Sequence, residues 1–455
     1  MTRMKNKRKY FHLGTAQIIV IGFLAVILAG AFLLTLPVSS NSGQPTPASD
    51  ALFTAVSATC VTGLITVDTA VHWSVFGQVV ILAMIQTGGL GFMTIAVLLT
   101  TALKRRLSQK ERMLLAESLS LSSFNGLQRL VGRIVLGTLC IELAGAALLS
   151  IRFIPIFGVG DGIYKSVFHA VSAFCNAGFD VLGTYSGAFS NMSAFASDPL
   201  VSITLMALII IGGIGFVVWD DIRDLIFRRR RLSVYTKFIL ILSASLILAG
   251  AVSIGAIEWN NPDSFGTLDF GGKILSSFFA SVTARTAGFA TVDFARMTEP
   301  SQFIMMALMF VGGCAGSTAG GVKVATFGVV LMTVLSTARG RDEVNVFRRR
   351  IPRTAIKRAF SVIVIQLIVT LASAIIISAR GDIPMTASLF ESFSASGTVG
   401  LSLSLTPSLD IINMFIVMLL MFFGRVGILT VTYALTLKNS GEGSLIKYAD
   451  VHFPI

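Results

Sequence analysis

The sequence predicts an all-α polytopic membrane protein: four pseudo-symmetric repeats, each membrane helix, pore helix, filter loop, membrane helix, around one central pore. Three observations predict it. They are long uncharged apolar runs, an alternation of basic and acidic segments, and a glycine pattern that recurs four times at nearly constant spacing.

The apolar runs set the class. Hydrophobic residues make up 54% of the 455 and charged residues only 13%, against about 25% charged in soluble domains, and the mean hydropathy is +0.81. A spanning helix needs about 20 apolar residues. Uncharged runs at 16–37, 75–103, 199–219, 238–257 and 359–379 meet that length. Three more runs carry one charge each: 134–151 with Glu142, 302–338 with Lys323 and 411–437 with Arg425. Eight spans result. The first follows Arg3 to Lys9 as a signal peptide would, but its apolar stretch continues past Leu36, too long for a signal core.

Charge orients the spans. Of 36 Lys and Arg, 28 fall in the segments 1–17, 102–133, 223–237, 339–358 and 438–455, while the loops between hold 13 of 23 acidic residues. This is the positive-inside pattern and predicts a multi-pass protein of the plasma (inner) membrane with both termini cytoplasmic. The net charge of +13 is thereby explained without nucleic acid, which would need a folded basic domain with stacking aromatics. Four cysteines without CxxC spacing and four histidines argue against a disulfide scaffold and against metal-dependent hydrolysis. The sequence holds no HExxH and no GxSxG with plausible partners, so an intramembrane enzyme has no support. The Arg228–Arg231 and Arg348–Arg350 stretches suit anionic lipid headgroups.

The repeat lies in the acidic loops. Each contains an apolar stretch too short to cross, at 51–61, 164–175, 274–284 and 385–396, the length of a re-entrant segment. Their ends read AVSATCVTGL, AVSAFCNAGF, SVTARTAGF and SFSASGTVGL, closing on Gly63, Gly178, Gly288 and Gly400 at separations of 115, 110 and 112. Ten residues before each glycine stands Phe53, Phe168, Phe278 or Phe390; six before stands Ser57, Ser172 or Ser394, with Val282 the exception. A second motif follows 24 to 34 residues later: GGLG at 88–91, GGIG at 212–215, GGCA at 312–315 and GRVG at 424–427. Two linked motifs recurring in phase mark an internal repeat. Its units are 1–103, 104–230 with a preceding cytoplasmic linker, 231–340 and 341–455.

Irregular backbone at membrane depth is tolerated only where it lines protein or water. Four such loops can place carbonyls around one axis and replace the hydration shell of a cation. The short helices aim their negative dipole ends at the same point. The candidate filter is therefore Val61-Thr62-Gly63, Asn176-Ala177-Gly178, Thr286-Ala287-Gly288 and Thr398-Val399-Gly400. For the glycines at 88–91 and 212–215, close helix packing by small residues is the preferred reading.

The run from Gln302 to Ala338 would be about 55 Å long as one helix at about 1.5 Å per residue, in a hydrocarbon core about 30 Å thick. It must break at Gly312-Gly313-Cys314-Ala315-Gly316-Ser317-Thr318-Ala319-Gly320-Gly321. The expectation is a loop at mid-depth below the filter that obstructs the pore and moves to open it; a merely kinked helix is the alternative. Arg425 replaces a glycine in the matching motif of the fourth unit, where a guanidinium needs partners. It fits three roles: holding the 312–321 loop closed, raising a positive barrier under the filter, or pairing with Glu142. Lys323 fits the first two. Arg285 suits bracing of its loop, Asn176 a local hydrogen bond, and Asp68, Asp180 and Asp293 either cation attraction at the entrance or plain solvation. Cys60 and Cys175 are assigned no chemistry.

The VTGL, NAGF, TAGF and TVGL segments resemble the filters of the Trk/Ktr/HKT superfamily of potassium transporters, over nearly the whole chain. Eight spans without an extra N-terminal pair most resemble its Ktr membrane subunits, the KtrB branch. The resemblance implies potassium selectivity from glycine in all four filter positions, sodium permeation being linked to serine in the first. It also implies an intramembrane gating loop in the third unit, a homodimer with one pore per subunit, and sodium-dependent uptake. A cytoplasmic nucleotide-binding ring of the KtrA type would be the partner. The chain has no glycine-rich nucleotide loop of its own, so it requires no cofactor, and nucleotide is expected only on that separate subunit. An alternating-access secondary transporter is the competing class, disfavoured because such proteins usually have two halves rather than four.

Overall fold

The computed structural model describes residues 15–91, 94, 127–428, 430 and 431. The segment 1–14, most of the 102–133 linker, the second half of the 75–103 run and the tail from 432 lie outside the described residues.

Helices form almost all the regular structure. The first unit contains α1 (Thr15–Thr35), α2 (Ala48–Cys60), the single turn α3 (Thr69–His72) and α4 (Val75–Leu90). The second contains α5 (Leu127–Phe157), α6 (Val159–Phe174), the turn α7 (Gly183–Ser186), α8 (Pro199–Gly213) and α9 (Phe216–Arg228). The third contains α10 (Val234–Glu258), α11 (Phe270–Thr283), α12 (Glu299–Phe310) and α13 (Val324–Ala338). A two-residue hairpin, β1 (Asn345–Val346) with β2 (Arg349–Arg350), leads to α14 (Arg353–Gly381), α15 (Met385–Gly397) and α16 (Ile411–Val426). Several starts are written in the sequence as caps: Ser74, Asp198, Ser233, Asp269 and Asp410 each accept a backbone N–H from the first turn that follows, satisfying donors that a helix start leaves free.

Helices α1, α5, α10 and α14 are long and apolar enough to cross a membrane. Each keeps apolar side chains outward, including Leu28, Phe32, Leu136, Leu143, Ile151, Val252 and Ile368, all more than half exposed. A helix apolar on every face belongs in lipid.

Among the described residues those four helices, or five with the bent pair α8–α9, meet the length of a span, against the eight runs of the sequence. The 75–103, 199–219, 302–338 and 411–437 runs do not form straight rods. Helices α8 and α9 meet at a bend of 99°, α4 stops at Gly91, α12 at Val311 and α16 at Gly427. Gly91, Gly215 and Gly427 have φ of 81°, 95° and 91°, outside any helical range and costly for a side-chain-bearing residue. The motifs at 88–91 and 212–215 therefore do two jobs. Their first glycine is a packing contact, since a Cβ on Gly88 would collide with the Thr59 carbonyl and one on Gly212 with the Phe174 carbonyl. Their last glycine ends the helix.

The four short helices α2, α6, α11 and α15 lie innermost. Phe53, Phe168 and Phe390 are completely buried, but in the third unit Phe278 is 37% exposed and the buried ring is Phe279. The ten-residue spacing fails there because the closing turn is one residue shorter: Ala287 N bonds the carbonyl of Thr283 four residues back, where the other three corners bond five residues back.

Candidate functional site

Each short helix ends in a strained corner. Val61, Asn176, Thr286 and Thr398 have φ of 57°, 60°, 70° and 51°, and two residues later Gly63, Gly178, Gly288 and Gly400 have φ of 96°, 70°, 80° and 91°. Left-handed backbone at a β-branched residue persists only where its surroundings fix it. Here the helix end does so: Thr62, Ala177 and Val399 donate their N–H to the carbonyls of Ser57, Ser172 and Ser394 at 2.8 Å, and Ala287 donates to Thr283 at 3.0 Å.

Side-chain hydroxyls complete the corners. Ser57 Oγ accepts from Gly63 N at 3.0 Å and Ser394 Oγ from Gly400 N at 3.1 Å. Ser172 Oγ donates to Phe179 O at 2.7 Å, and Thr283 Oγ1 to Phe289 O at 2.6 Å. The serine missing at Val282 is thus replaced by the next residue, the same one-residue offset seen at Phe279. A shift of the third segment by one position in the sequence comparison would have exposed it.

The four corners form a closed ring. A Cβ on Gly63 would collide with the Ala177 carbonyl, and on Gly178 it would lie 2.7 Å from Ala287 O. On Gly288 it would lie 2.5 Å from Val399 O, and on Gly400 it would collide with the Thr62 carbonyl. Each glycine leans on the next unit in chain order and the fourth returns to the first, so units two and four are opposite one another. The Asn176 amide oxygen accepts from Thr286 Oγ1 at 3.2 Å, tying unit two to unit three, and its nitrogen donates to Ala173 O at 3.2 Å, the local bond expected of it, and to Ile209 O. The Thr62 and Thr398 hydroxyls are buried without a partner among the described residues.

On one side of the ring is a cavity of about 370 Å³ lined by Gly63, Gly178 and Gly400 and by the residues that follow them, including Asp180 and Ser402. The three acids expected near the entrance are chiefly caps. Asp68 accepts from Ala70, Val71 and Phe189, and Asp293 accepts from Ala295 and pairs with Arg296. Asp180 accepts from Leu182 N at 3.0 Å and lines the cavity.

On the other side lies the 312–321 loop. It joins unit two through Cys314 N to Gly213 O at 2.9 Å, Thr318 N to Gly212 O at 3.3 Å and Thr318 Oγ1 to Phe174 O at 3.0 Å. It joins unit four through Gly321 N to Gly424 O at 3.1 Å, and a Cβ on Gly320 would collide with the Thr398 hydroxyl. Gly312 donates to Val322 and Val324 donates to Gly313, closing the loop on itself. The left-handed Gly316 and Gly321 make its two sharp turns, while Ser317 Oγ caps Cys314 O at 2.7 Å. Ala315 and Ala319 fill the remaining positions, Ala319 O accepting from Lys323 Nζ at 2.8 Å.

Arg425 has three roles open to it on sequence grounds, and its partners remove one of them. Its guanidinium donates to Thr318 O and to Gly88 O, and to Gly89 O at 3.0 Å. Glu142 is not its partner; that carboxylate accepts from Gln86 Nε2 at 3.4 Å. Arg285 braces Ser243 at 3.3 Å and Gly312 at 3.5 Å, the root of the 312–321 loop, and not the carbonyls of its own corner. Two features escaped the sequence reading. Glu391, fully buried on α15, accepts from Ser402 and Thr406 in the loop beyond Gly400. His169 and Lys165 on α6 grip the backbone of Val181. A charged or titratable residue inside an otherwise apolar short helix was the available signal for both.

Residues 3–443 match the family described as TrkH, cation transport protein. The chain is 40% identical over 455 residues to the potassium/sodium uptake protein NtpJ of Enterococcus hirae, covering 99% of each. It is 39% identical to the Ktr system potassium uptake protein B of Bacillus subtilis, again over 99% of each, and 38% identical to that of Vibrio alginolyticus over 96% of this chain and 94% of the other. Among solved structures, the potassium transporter TrkH from Vibrio parahaemolyticus superposes with a TM-score of 0.72, covering 96% of this chain and 87% of that one at 16% identity.

Proposed function

The chain belongs to the TrkH cation transport protein family, membrane transporters and not enzymes, and from that premise we propose that it takes up potassium across the plasma membrane through a pore of its own. One observation carries the reading: four glycine corners from a single polypeptide lean on one another in a closed ring. Relatives of near-equal length are named for potassium uptake. The carbonyls of 61–63, 176–178, 286–288 and 398–400 replace the water around a bare cation. Entry is driven by the membrane potential, about 2.3 kcal/mol per charge per 100 mV, so no step requires ATP in this chain.

The 312–321 loop is the gate in this reading. Hydrogen bonds to units two and four, and Arg425 reaching unit one, support a closed state in which all four units are tied beneath the ring. Opening requires the loop to part from Arg425 and Thr398. Sodium dependence, a homodimer with one pore per subunit, cytoplasmic termini and a nucleotide-binding KtrA-type ring on the cytoplasmic face are further parts of the proposal. The relatives named as Ktr system proteins support the regulatory partner. The experiment is growth of a potassium-uptake-deficient cell at low potassium, with and without sodium, beside rubidium flux into proteoliposomes under an imposed potential. Flux that follows the potential supports the pore; flux that saturates early and exchanges one bound ion at a time favours alternating access.

A further inference from the structure

The position two residues beyond each ring glycine is occupied by Ile65, Asp180, Ala290 and Ser402, and all four line the same cavity over the ring. Only one carries a charge. Asp180 is 5% exposed; its Oδ2 accepts from Leu182 N at 3.0 Å and its own backbone N–H also favours the charged form. Ser402, opposite it, is fully committed: its hydroxyl donates to Glu391 Oε2 at 2.7 Å and accepts from Leu405 N at 3.0 Å and Thr406 N at 3.4 Å. The ring of this level is therefore neutral on three sides and anionic on one.

Asp180 is held in place from behind. Lys165 Nζ donates to Val181 O at 2.7 Å, and Val181 N donates to His169 Nε2 at 3.4 Å, while His169 Nδ1 donates to Lys165 O at 2.7 Å. Both polar groups of the residue next to Asp180 are thus fixed by side chains of α6. The equivalent positions on the other short helices bear no such pair: Thr54, Ala280 and Glu391 stand where His169 does. The ammonium of Lys165 donates to Val181 O and lies beyond ion-pair distance of Asp180 among the described residues, its charge favouring the ionised carboxylate without a direct contact.

We propose that Asp180 is the residue that admits cations to the pore mouth: a single carboxylate held over one side of the ring, which gathers a monovalent cation, still partly hydrated, before it enters between the glycine corners. This deepens the reading of the ring as a potassium filter and rests on it. A fixed charge in a walled cavity raises the local counter-ion concentration. Placing it off-axis at one unit keeps the approaching ion from being trapped between two acids. Ser402 and Glu391 have the different task of fixing the wall opposite.

The test is rubidium uptake by the full-length protein in proteoliposomes. Asp180→Asn keeps the acceptor for Leu182 N and removes the charge. The half-saturating concentration is expected to rise about three- to tenfold with the maximal rate within about twofold, and the dependence on ionic strength to flatten. Ala290→Asp in that background is expected to restore much of the lost affinity. An unchanged half-saturating concentration in Asp180→Asn, with wild-type uptake intact, overturns the proposal and leaves the filter reading standing. Absent potential-driven uptake by wild type would overturn the filter reading itself. If Asp180→Asn does not assemble, Ala290→Lys keeps Asp180 and opposes it at the same level; half-saturation must rise there too, and an unchanged value overturns the proposal.

Discussion

Arg425 donates to the carbonyl of Thr318, 107 positions before it in the chain. The same guanidinium reaches Gly88 and Gly89. One side chain therefore links the end of α16, the centre of the 312–321 loop and the end of α4, which no pair of helices touching directly could do. Its five donors in a planar fork suit several carbonyls at once.

Removing that link is expected to release the loop. Hydrogen bonds from a charged donor contribute about 1.5–3 kcal/mol each, so Arg425→Ala should raise rubidium flux about tenfold or more while lowering thermal stability in detergent. Arg425→Lys, a point charge that cannot fork, should fall between. Proteoliposome flux at fixed potential checks both, and wild-type rates in the alanine variant count against the loop as a gate.

Deletion within 314–319 removes Thr318 altogether. Flux should rise as in Arg425→Ala, and the two changes combined should give no more than the larger alone, because each breaks the same tie. Fully additive effects would mean that Arg425 acts on the ion and not on the loop.

At the third corner, Thr283→Val keeps shape but loses the bond to Phe289 O. The expected cost is about 1 kcal/mol of stability with weaker discrimination of potassium over sodium. Val282→Ser should not compensate, since that side chain sits one position out of phase. Thermal unfolding and bi-ionic flux measure the two effects.

Gly63→Ser should fold yet lose selectivity. The position has φ of 96° and the Ala177 carbonyl occupies the place of its Cβ, so the corner must widen, with an expected strain of about 1–3 kcal/mol. Sodium inhibition of rubidium flux should weaken less than sodium permeation grows. An unaltered sodium-to-potassium ratio would count against the ring as the selective element.

Acidifying the cavity side should lower uptake at limiting potassium. Burial raises the Asp180 carboxyl to about 6, with Leu182 N–H opposing and nearby Asp68 adding to the rise. Above pH 6 the group is ionised and attracts cations; below it the group is neutral and the attraction is lost. Lys165 and Asp68 are the other charged groups that face it, and His169 lies behind. Uptake at saturating potassium should change little between pH 7 and 5, and Asp180→Asn should remove the low-concentration effect.

The sequence alone determined the membrane class, the four short helices with their terminal glycines, and the break between Gly312 and Gly321. Those features follow from local requirements: apolar length, glycine where the backbone turns left-handed, and the impossibility of a 37-residue straight span. Only the tertiary structure decided how the units register. The offset that puts Phe279 and Thr283 where Phe278 and Val282 were expected comes from a closing turn one residue shorter, with Ala287 N bonded to Thr283 O. The partners of Arg425, Arg285 and Asp180 were likewise illegible, because a buried charge specifies that it needs acceptors but not which distant carbonyls will be brought within reach. Chain order fixes what each unit can offer; packing across units fixes what it meets.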